Sequence, residues 1–473
     1  MSSIKKRLGL LIALILLSSL AVLPHATIRA QSKTIIVPDN YPTITDAIDN
    51  ATNGDTILVR AGFYSETQLD SNVSISLIGE GAGKTKISLH PSIVTTTIGD
   101  VTLSGYAAPI GLNANNILIS GFTITSDGGT AVIKGNNEWL TDNVLDLNVE
   151  VIGNYNTVTN NTLTLPLSPI MGGMVTSGSH GKICQNTGTG LISITAGSYN
   201  NVFYNALCGE IGDFGTGNSN LFYGNKLDGG TGISAQTNDI IDDNTITNCS
   251  HGVSITNGFN NIVDGNRVTN NSGAGLSKIE GLNNLFYGNY VADNGFGVQI
   301  GAGGAYRTNN GGFTPMGNTT FYDNDFVSNR QQVQVIVSSL TDDWNYGKQG
   351  NYWSDYQSSY PNASEVGSSG IWNTPYYVGL GEQDNYPLMA PLDISSINIR
   401  LPSWANIRVP SPLLTPSFPS QNLANPQTSP TTSATPTPTA PEFPSLILVL
   451  TLLIAVSTSI AVKMTVRKRK TVE

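Results

Sequence analysis

Four short stretches decide how this chain folds: Leu221-Phe-Tyr-Gly-Asn-Lys-Leu227, Ile240-Ile-Asp-Asp-Asn-Thr-Ile246, Ile262-Val-Asp-Gly-Asn-Arg-Val268 and Leu285-Phe-Tyr-Gly-Asn-Tyr-Val291. Each sets an apolar residue three before an Asn, a turn-forming residue just before it and an apolar residue two after it. The unit recurs at Asn143, Asn161, Asn205 and Asn324, and in weaker form at Asn186, where Gly188 takes the second apolar position. Successive Asn residues are 18, 25, 19, 20, 19, 22, 23 and 35 apart, and self-similarity of this kind marks a repeat architecture. Apolar stripes every 3.6 residues are absent. Short β-branched runs alternate instead with Gly, Asn and Asp turns. Fifty glycines, and charged residues at only 12%, suit a chain that turns often and forms little helix.

The prediction is all-β: a right-handed, single-stranded parallel β-helix of about 20–23 residues per coil, each rung bonded to the next ~4.8 Å away. Val158, Val202, Phe222, Ile241, Val263, Phe286 and Phe321 then form one buried row. Leu163, Leu207, Leu227, Ile246, Val268, Val291 and Phe326 form a second. The Asn between them is expected to take the left-handed turn conformation and to hydrogen-bond from rung to rung. Both ends of a solenoid need covers. Ile44, Ala47 and Ile48 lie on one face of a short N-terminal capping helix that precedes a first strand at Asp55–Arg60. Trp344, Tyr346, Tyr352, Trp353 and Tyr356 supply a plug at the other end.

The termini place this body outside a cell. Lys5, Lys6 and Arg7 precede an apolar run from Leu8 to Leu23, which reads as a signal peptide over residues 1–30. Residues 445–463 read as a transmembrane anchor and 464–473 as a basic cytoplasmic tail, because positive flanks stay inside. Between them lie the β-helix domain at 34–390, with its C-terminal cap at 341–390, and a Pro/Ser/Thr-rich stalk at 391–444. Without the basic ends the net charge moves from −10 to about −18, which excludes nucleic acid as a partner through phosphate repulsion. Cys184, Cys208 and Cys249 fall at different phases of the repeat, so free, partly buried thiols are expected rather than stacked disulfides. Sequons at Asn50, Asn72, Asn160, Asn248, Asn270, Asn318 and Asn362 would permit N-glycans.

The opening from Val37 to Tyr64 (VPDNYPTITDAIDNATNGDTILVRAGFY), the Asn-centred rungs, and the closing GNYWSDY, NTPYY and DNYPLM motifs carry a likeness to a known family. From about Thr34 to Met389 the chain resembles the NosD-like right-handed β-helix proteins of the pectate-lyase superfamily, specifically their archaeal surface members. The family name is tied to copper, and many members carry an acidic Asp-Gly-Asp-type loop between the closing motifs. Here Pro361–Gly370 holds one carboxylate, Glu365, so a calcium site is not expected there. Pro441-Glu-Phe-Pro444, with the apolar span and basic tail behind it, resembles the PEF-type sorting signal that archaeosortases process. That resemblance implies either a retained helix or one cut off and replaced by a lipid or other anchor.

Two before each Asn stand Phe203, Tyr223, Asp242, Asp264, Tyr287 and Tyr322, and one after come Lys226, Thr245, Arg267, Tyr290 and Asp325. Asp242 and Asp264 are expected on adjacent rungs ~5 Å apart, among tyrosines and beside Arg267. Aromatic faces with carboxylates suit a sugar chain, and two carboxyls so spaced suit a retaining glycosidase. Such residues are also common as solvated turn positions. An exposed convex wall would do little to raise a carboxyl pKa, which argues against catalysis. For a metal, Met171, Met174, His180 and Cys184 offer thioether, imidazole and thiolate donors that suit Cu(I). The expectation is a surface-anchored protein that binds or organises envelope polysaccharide without chemistry or cofactor of its own. A polysaccharide lyase or glycoside hydrolase, a structural adhesin, and a copper-handling accessory protein are the alternatives.

Overall fold

The computed structural model describes residues 32–98, 101–165, 173–301, 316–336, 340–394, 401–411 and 417–419. The Asn-centred stretches become three-residue strands stacked in parallel: Leu221–Tyr223 on Ile240–Asp242, on Ile262–Asp264, on Leu285–Tyr287, on Thr320–Tyr322. They belong to a 13-stranded parallel sheet whose first strand, Thr34–Val37, precedes the capping helix and pairs with Asp55–Val59. A second parallel sheet bends to make the remaining faces. Its strand Thr123–Lys134 pairs early with Thr85–Leu89 and late with Ile110–Asn113. The chain is thus a parallel β-solenoid with almost no helix, and both predicted apolar rows are buried inside it.

Each corner carries a polar ladder. The Asn244 N–H and Nδ2 both donate to Asn266 Oδ1, at 3.0 and 2.9 Å. Its Nδ2 also reaches the Phe222 and Asp242 carbonyls at 2.9 and 3.0 Å. Its own Oδ1 accepts the N–H and Nδ2 of Asn225 at 2.9 and 3.0 Å. Buried carboxamides are satisfied by the neighbouring rungs, as expected. Beyond Asn324 the ladder continues through Asn351 to Asp384, whose carboxylate accepts the Asn351 N–H at 2.7 Å and Trp353 Nε1 at 3.0 Å. A carboxylate suits the terminus because it accepts without a donor of its own to satisfy. The left-handed residue is the one before each Asn rather than the Asn: Gln185, Tyr204, Asp243 and Asp323 have φ of 57, 55, 55 and 52°. Turning one residue early aims the Asn side chain along the solenoid axis.

Ile44, Ala47 and Ile48 are buried beneath the helix Ile44–Asp49, and Thr43 Oγ1 accepts the Asp46 N–H at 3.0 Å. At the far end Phe321 stacks on Trp344 at 4.5 Å, Phe326 on Trp353 at 4.6 Å and Trp353 on Tyr376 at 4.3 Å. Trp344, Trp353 and Tyr356 form the plug, whereas Tyr346 is 65% exposed and Tyr352 half-buried. The buried Lys278 ammonium donates to both Asp342 oxygens at 2.7 and 2.6 Å, tying coil to cap.

Past Pro391 the chain first lies against the solenoid. The Leu392 N–H donates to the Asp325 carboxylate at 3.0 Å, Trp404 meets Tyr199 edge-on at 5.4 Å, and the Asn406 N–H donates to Asn201 Oδ1 at 2.7 Å. These features belong to the first of two units, Met1–Phe418 and Pro419–Glu473. The predicted signal peptide, anchor, sorting signal and basic tail lie outside the described residues. Among the described residues no helix is long and apolar enough to cross a membrane.

Candidate functional site

The strand registers assemble the predicted column: Phe203, Tyr223, Asp242, Asp264, Tyr287 and Tyr322 succeed one another on six rungs. Alternation dictates their direction, since Ile241 and Val263 point inward and their neighbours outward. Outward is not exposed, however. Asp242 is 0% and Asp264 2% exposed, which corrects the expectation of an open convex wall. Neither oxygen of Asp242 nor Oδ1 of Asp264 has a hydrogen-bond partner. Burial first, then the neighbouring Asp264 and Asp243 charges, push Asp242 up to about 8. Burial pushes Asp264 up to about 6, opposed by a hydrogen bond with Tyr287. The pKa argument against catalysis therefore fails, and both carboxyls have almost no exposed surface.

The tyrosines are engaged with each other. Tyr287 lies on Tyr322 at 5.3 Å and 8°, Tyr322 meets Tyr346 at 5.4 Å, and Tyr223 meets Tyr204 at 5.7 Å. Rungs ~4.8 Å apart hold Tyr287 and Tyr322 at stacking distance, one face of each against the other, whereas Tyr223 meets Tyr204 edge-on at 69°. Arg267 sits over the Tyr290 ring, 4.4 Å from its centroid.

The proposed copper donors have separate surroundings. Met171 lies outside the described residues. Met174 is buried in the apolar core. His180, at φ 61°, is stacked between Tyr155 and Tyr199 at 5.0 and 5.4 Å. Cys184 is buried with its sulfur 3.3 Å from Thr159 Oγ1. Among the described residues no group of three His, Cys, Asp or Glu is placed to hold a metal. Glu365 accepts the Gly370 N–H at 2.8 Å within its own loop. All seven sequon asparagines are exposed.

A groove that the sequence reading missed opens between the last coil and the cap. Its volume is about 390 Å³, and Arg330, Gln331, Ser354, Asp355, Tyr376 and Tyr377 are among its lining. The strand Gln331–Val335 forms one wall and Tyr376–Gly379 the other. The Tyr376 phenol donates to both Asp355 oxygens, at 3.1 and 3.0 Å. Gln332 Nε2 donates to Ser354 Oγ at 3.1 Å, and Arg330 rests over Phe296 at 5.5 Å. Tyr377 is 60% exposed. The groove forms where the last coil meets the cap; its coil wall is the strand after Asn329 that stacks on Phe296–Ile300, and no repeat signal marks its other wall.

Residues 214–358 match the model of the family described as periplasmic copper-binding protein (NosD). The resemblance to NosD-like β-helix proteins thus holds across the central and closing coils. No curated protein matches the chain significantly. Among solved structures, a PL6 family polysaccharide lyase from Pseudopedobacter saltans is 15% identical, with 76% of this chain and 99% of that one covered and a TM-score of 0.44. The A-module of an Azotobacter vinelandii mannuronan C-5 epimerase is 14% identical, with coverages of 63% and 93% and a TM-score of 0.42. The catalytic domain of a GH87 α-1,3-glucanase is 14% identical, with coverages of 68% and 69% and a TM-score of 0.46.

Proposed function

We propose that this is an exported, surface-held β-solenoid protein that binds an extracellular polysaccharide in the groove between its last coil and its cap, without cleaving it. The observation that carries the reading is the lining: a guanidinium, a carboxylate, a hydroxyl and a carboxamide converge beside the exposed Tyr377 ring. Planar charged groups hold hydroxyl pairs, and an aromatic face takes the apolar face of a sugar ring. Asp355 is fixed by Tyr376 and Gln332 by Ser354, so little side-chain freedom is lost on binding. The volume falls within the ~300–1,000 Å³ of small-ligand clefts.

Glycoside hydrolysis is disfavoured because it uses two carboxyls, and among the described residues Asp355 is the one carboxylate lining this groove. The family's periplasmic description supports export, and residues 445–463, or an anchor that replaces them, would hold the protein at the membrane. The test is a glycan array and a polysaccharide-cleavage screen, with and without divalent metal, on the purified protein and on Tyr377→Ala. Binding that drops at least tenfold in the variant, without new reducing or unsaturated ends, supports the proposal. Cleavage products, or a variant that binds as well as the parent, refute it.

A further inference from the structure

We propose that Ser88, His90 and Asp127 form a separate esterase centre, which removes short acyl groups from carboxylic esters of a bulky alcohol. The strand Thr85–Leu89 buries Thr85, Ile87 and Leu89, so alternation sends Ser88 and the following His90 out on one face. Ser88 Oγ lies 3.3 Å from His90 Nε2, and His90 Nδ1 lies 2.7 Å from Asp127 Oδ2. A carboxylate only accepts, so it holds the proton of neutral His90 on Nδ1 and leaves Nε2 to accept from the Ser88 hydroxyl. An activated serine needs this order of contacts: nucleophile to base, and base to a third group that orients it. The 3.3 Å contact is of the length that tightens when substrate binds. Among the described residues His90 is the one histidine joined to both a hydroxyl and a carboxylate.

Neighbouring rungs hold these parts. The His90 N–H donates to the Glu66 carbonyl at 2.9 Å. Ser88 and Leu89 stand opposite Thr125 and Ser126, which by count puts Asp127 opposite His90. There the ladder breaks: Asp127, Gly128 and Gly129 pair with neither neighbouring strand, and pairing resumes at Thr130 opposite Asn148. Such a bulge re-aims a side chain, here the Asp127 carboxylate toward the imidazole. The oxyanion of a tetrahedral intermediate would fall to the backbone N–H groups of this bulge. An exposed ion pair contributes little stability, which gives the three-part contact no weight in holding the fold. The His90 and Asp127 side chains are 48 and 61% exposed, so an ester on a bulky alcohol can reach them. Beside them a hairpin, Ile93–Ile98 with Val101–Tyr106, presents apolar surface. Ile93 pairs with Tyr106, and a Cβ added at Gly128 would stand 2.3 Å from the Tyr106 ring. Ile93 and Tyr106 are well exposed, a small apolar surface that suits a short acyl chain.

Ser88 Oγ attacks the ester carbonyl carbon while its proton passes to His90 Nε2. The bond from that carbon to the alcohol oxygen breaks, Nε2 gives its proton to the departing alcohol, and the acyl group stays on Oγ. Water then attacks the acyl-serine through the same base, Oγ takes a proton back, and the carboxylic acid leaves. One ester and one water give one acid and one alcohol, with no change of oxidation state. No glycosidic bond is touched, and the site is independent of the groove at the cap.

The test is labelling of the full-length protein with a fluorophosphonate, located by peptide mass spectrometry, beside hydrolysis of para-nitrophenyl acetate. The label is expected on Ser88. Ser88→Ala should abolish labelling, and Ser88→Ala and His90→Gln should each slow acetate hydrolysis about 100-fold or more. Asp127, a positioning residue, should slow labelling about tenfold or more as Asp127→Asn. Asp127→Glu should restore most of the rate, a rescue that a merely structural role would not give. Ser88 is half-buried and its partners are exposed, so each variant should melt with the parent and be read as folded protein. No label at Ser88, or a Ser88→Ala protein that hydrolyses the acetate as fast as the parent, would overturn the proposal.

Discussion

Replacing Asn244 by Ala removes one link from the middle of the corner ladder and leaves its neighbours facing a gap. The Asn225 N–H and one Nδ2 proton lose their acceptor. The Phe222 and Asp242 carbonyls lose a donor. A buried unsatisfied polar group costs about 1–3 kcal/mol. The two carbonyls also pair elsewhere within strands, so the expected loss is about 3–5 kcal/mol. Asn154 provides the contrast: it is exposed, and its Oδ1 accepts only the Ser179 N–H, at 2.8 Å. Water can replace it, so Asn154→Ala should cost under about 1 kcal/mol. Solenoids can unfold piecemeal, and a global midpoint alone would blur the effect. Native-state hydrogen exchange read at the Asn225 amide is the sharper assay. A loss of about 3 kcal/mol accelerates exchange there on the order of 100-fold, with a matching fall in urea midpoint. Equal effects from the two variants, or unchanged protection at Asn225, would show that the ladder is geometry without energetic weight.

Acidity should stabilise this protein. Asp242 and Asp264 stand at about 8 and about 6 in the fold, against ~3.9 unfolded. The folded state holds more protons between pH ~4 and ~8, so stability falls as pH rises through that window and levels off above it. The thermal midpoint should therefore be higher at pH 5 than at pH 8.5. Asp242→Asn should flatten the profile and add on the order of 2–5 kcal/mol at pH 8.5; an unaltered profile would contradict the assignment. Lys278→Met strands the buried Asp342 carboxylate and should cost about 3–5 kcal/mol by urea denaturation. Adding Asp342→Leu should recover most of that, short by about 1 kcal/mol because the Thr319 N–H loses its acceptor at 3.0 Å. Arg330→Ala should weaken glycan binding about tenfold, with the melting temperature unmoved; an accompanying fall in melting temperature would point to packing.

What the amino-acid order settled by itself is whatever depends on near neighbours and on counting. Alternation sends Ile241 and Val263 inward, the recurring Asn sets the corners, and Ile44, Ala47 and Ile48 mark a capping helix; all are legible because each rung repeats one local solution. The repeat also predicts that Asp242 and Asp264 are adjacent, because parallel rungs in register stack equal phases. Three things required the tertiary structure. Asp242 is outward and yet buried, which the alternation along its strand does not predict. Tyr287 and Tyr322 turn a face to each other because rung spacing and ring-stacking distance nearly coincide, so these two residues of equal phase stack. The groove at Arg330 and Tyr377 arises between residues some forty-seven positions apart, where the repeat ends and the cap folds back. Periodic order is encoded locally; the sites lie where that period is interrupted or covered, and only long-range packing decides those places.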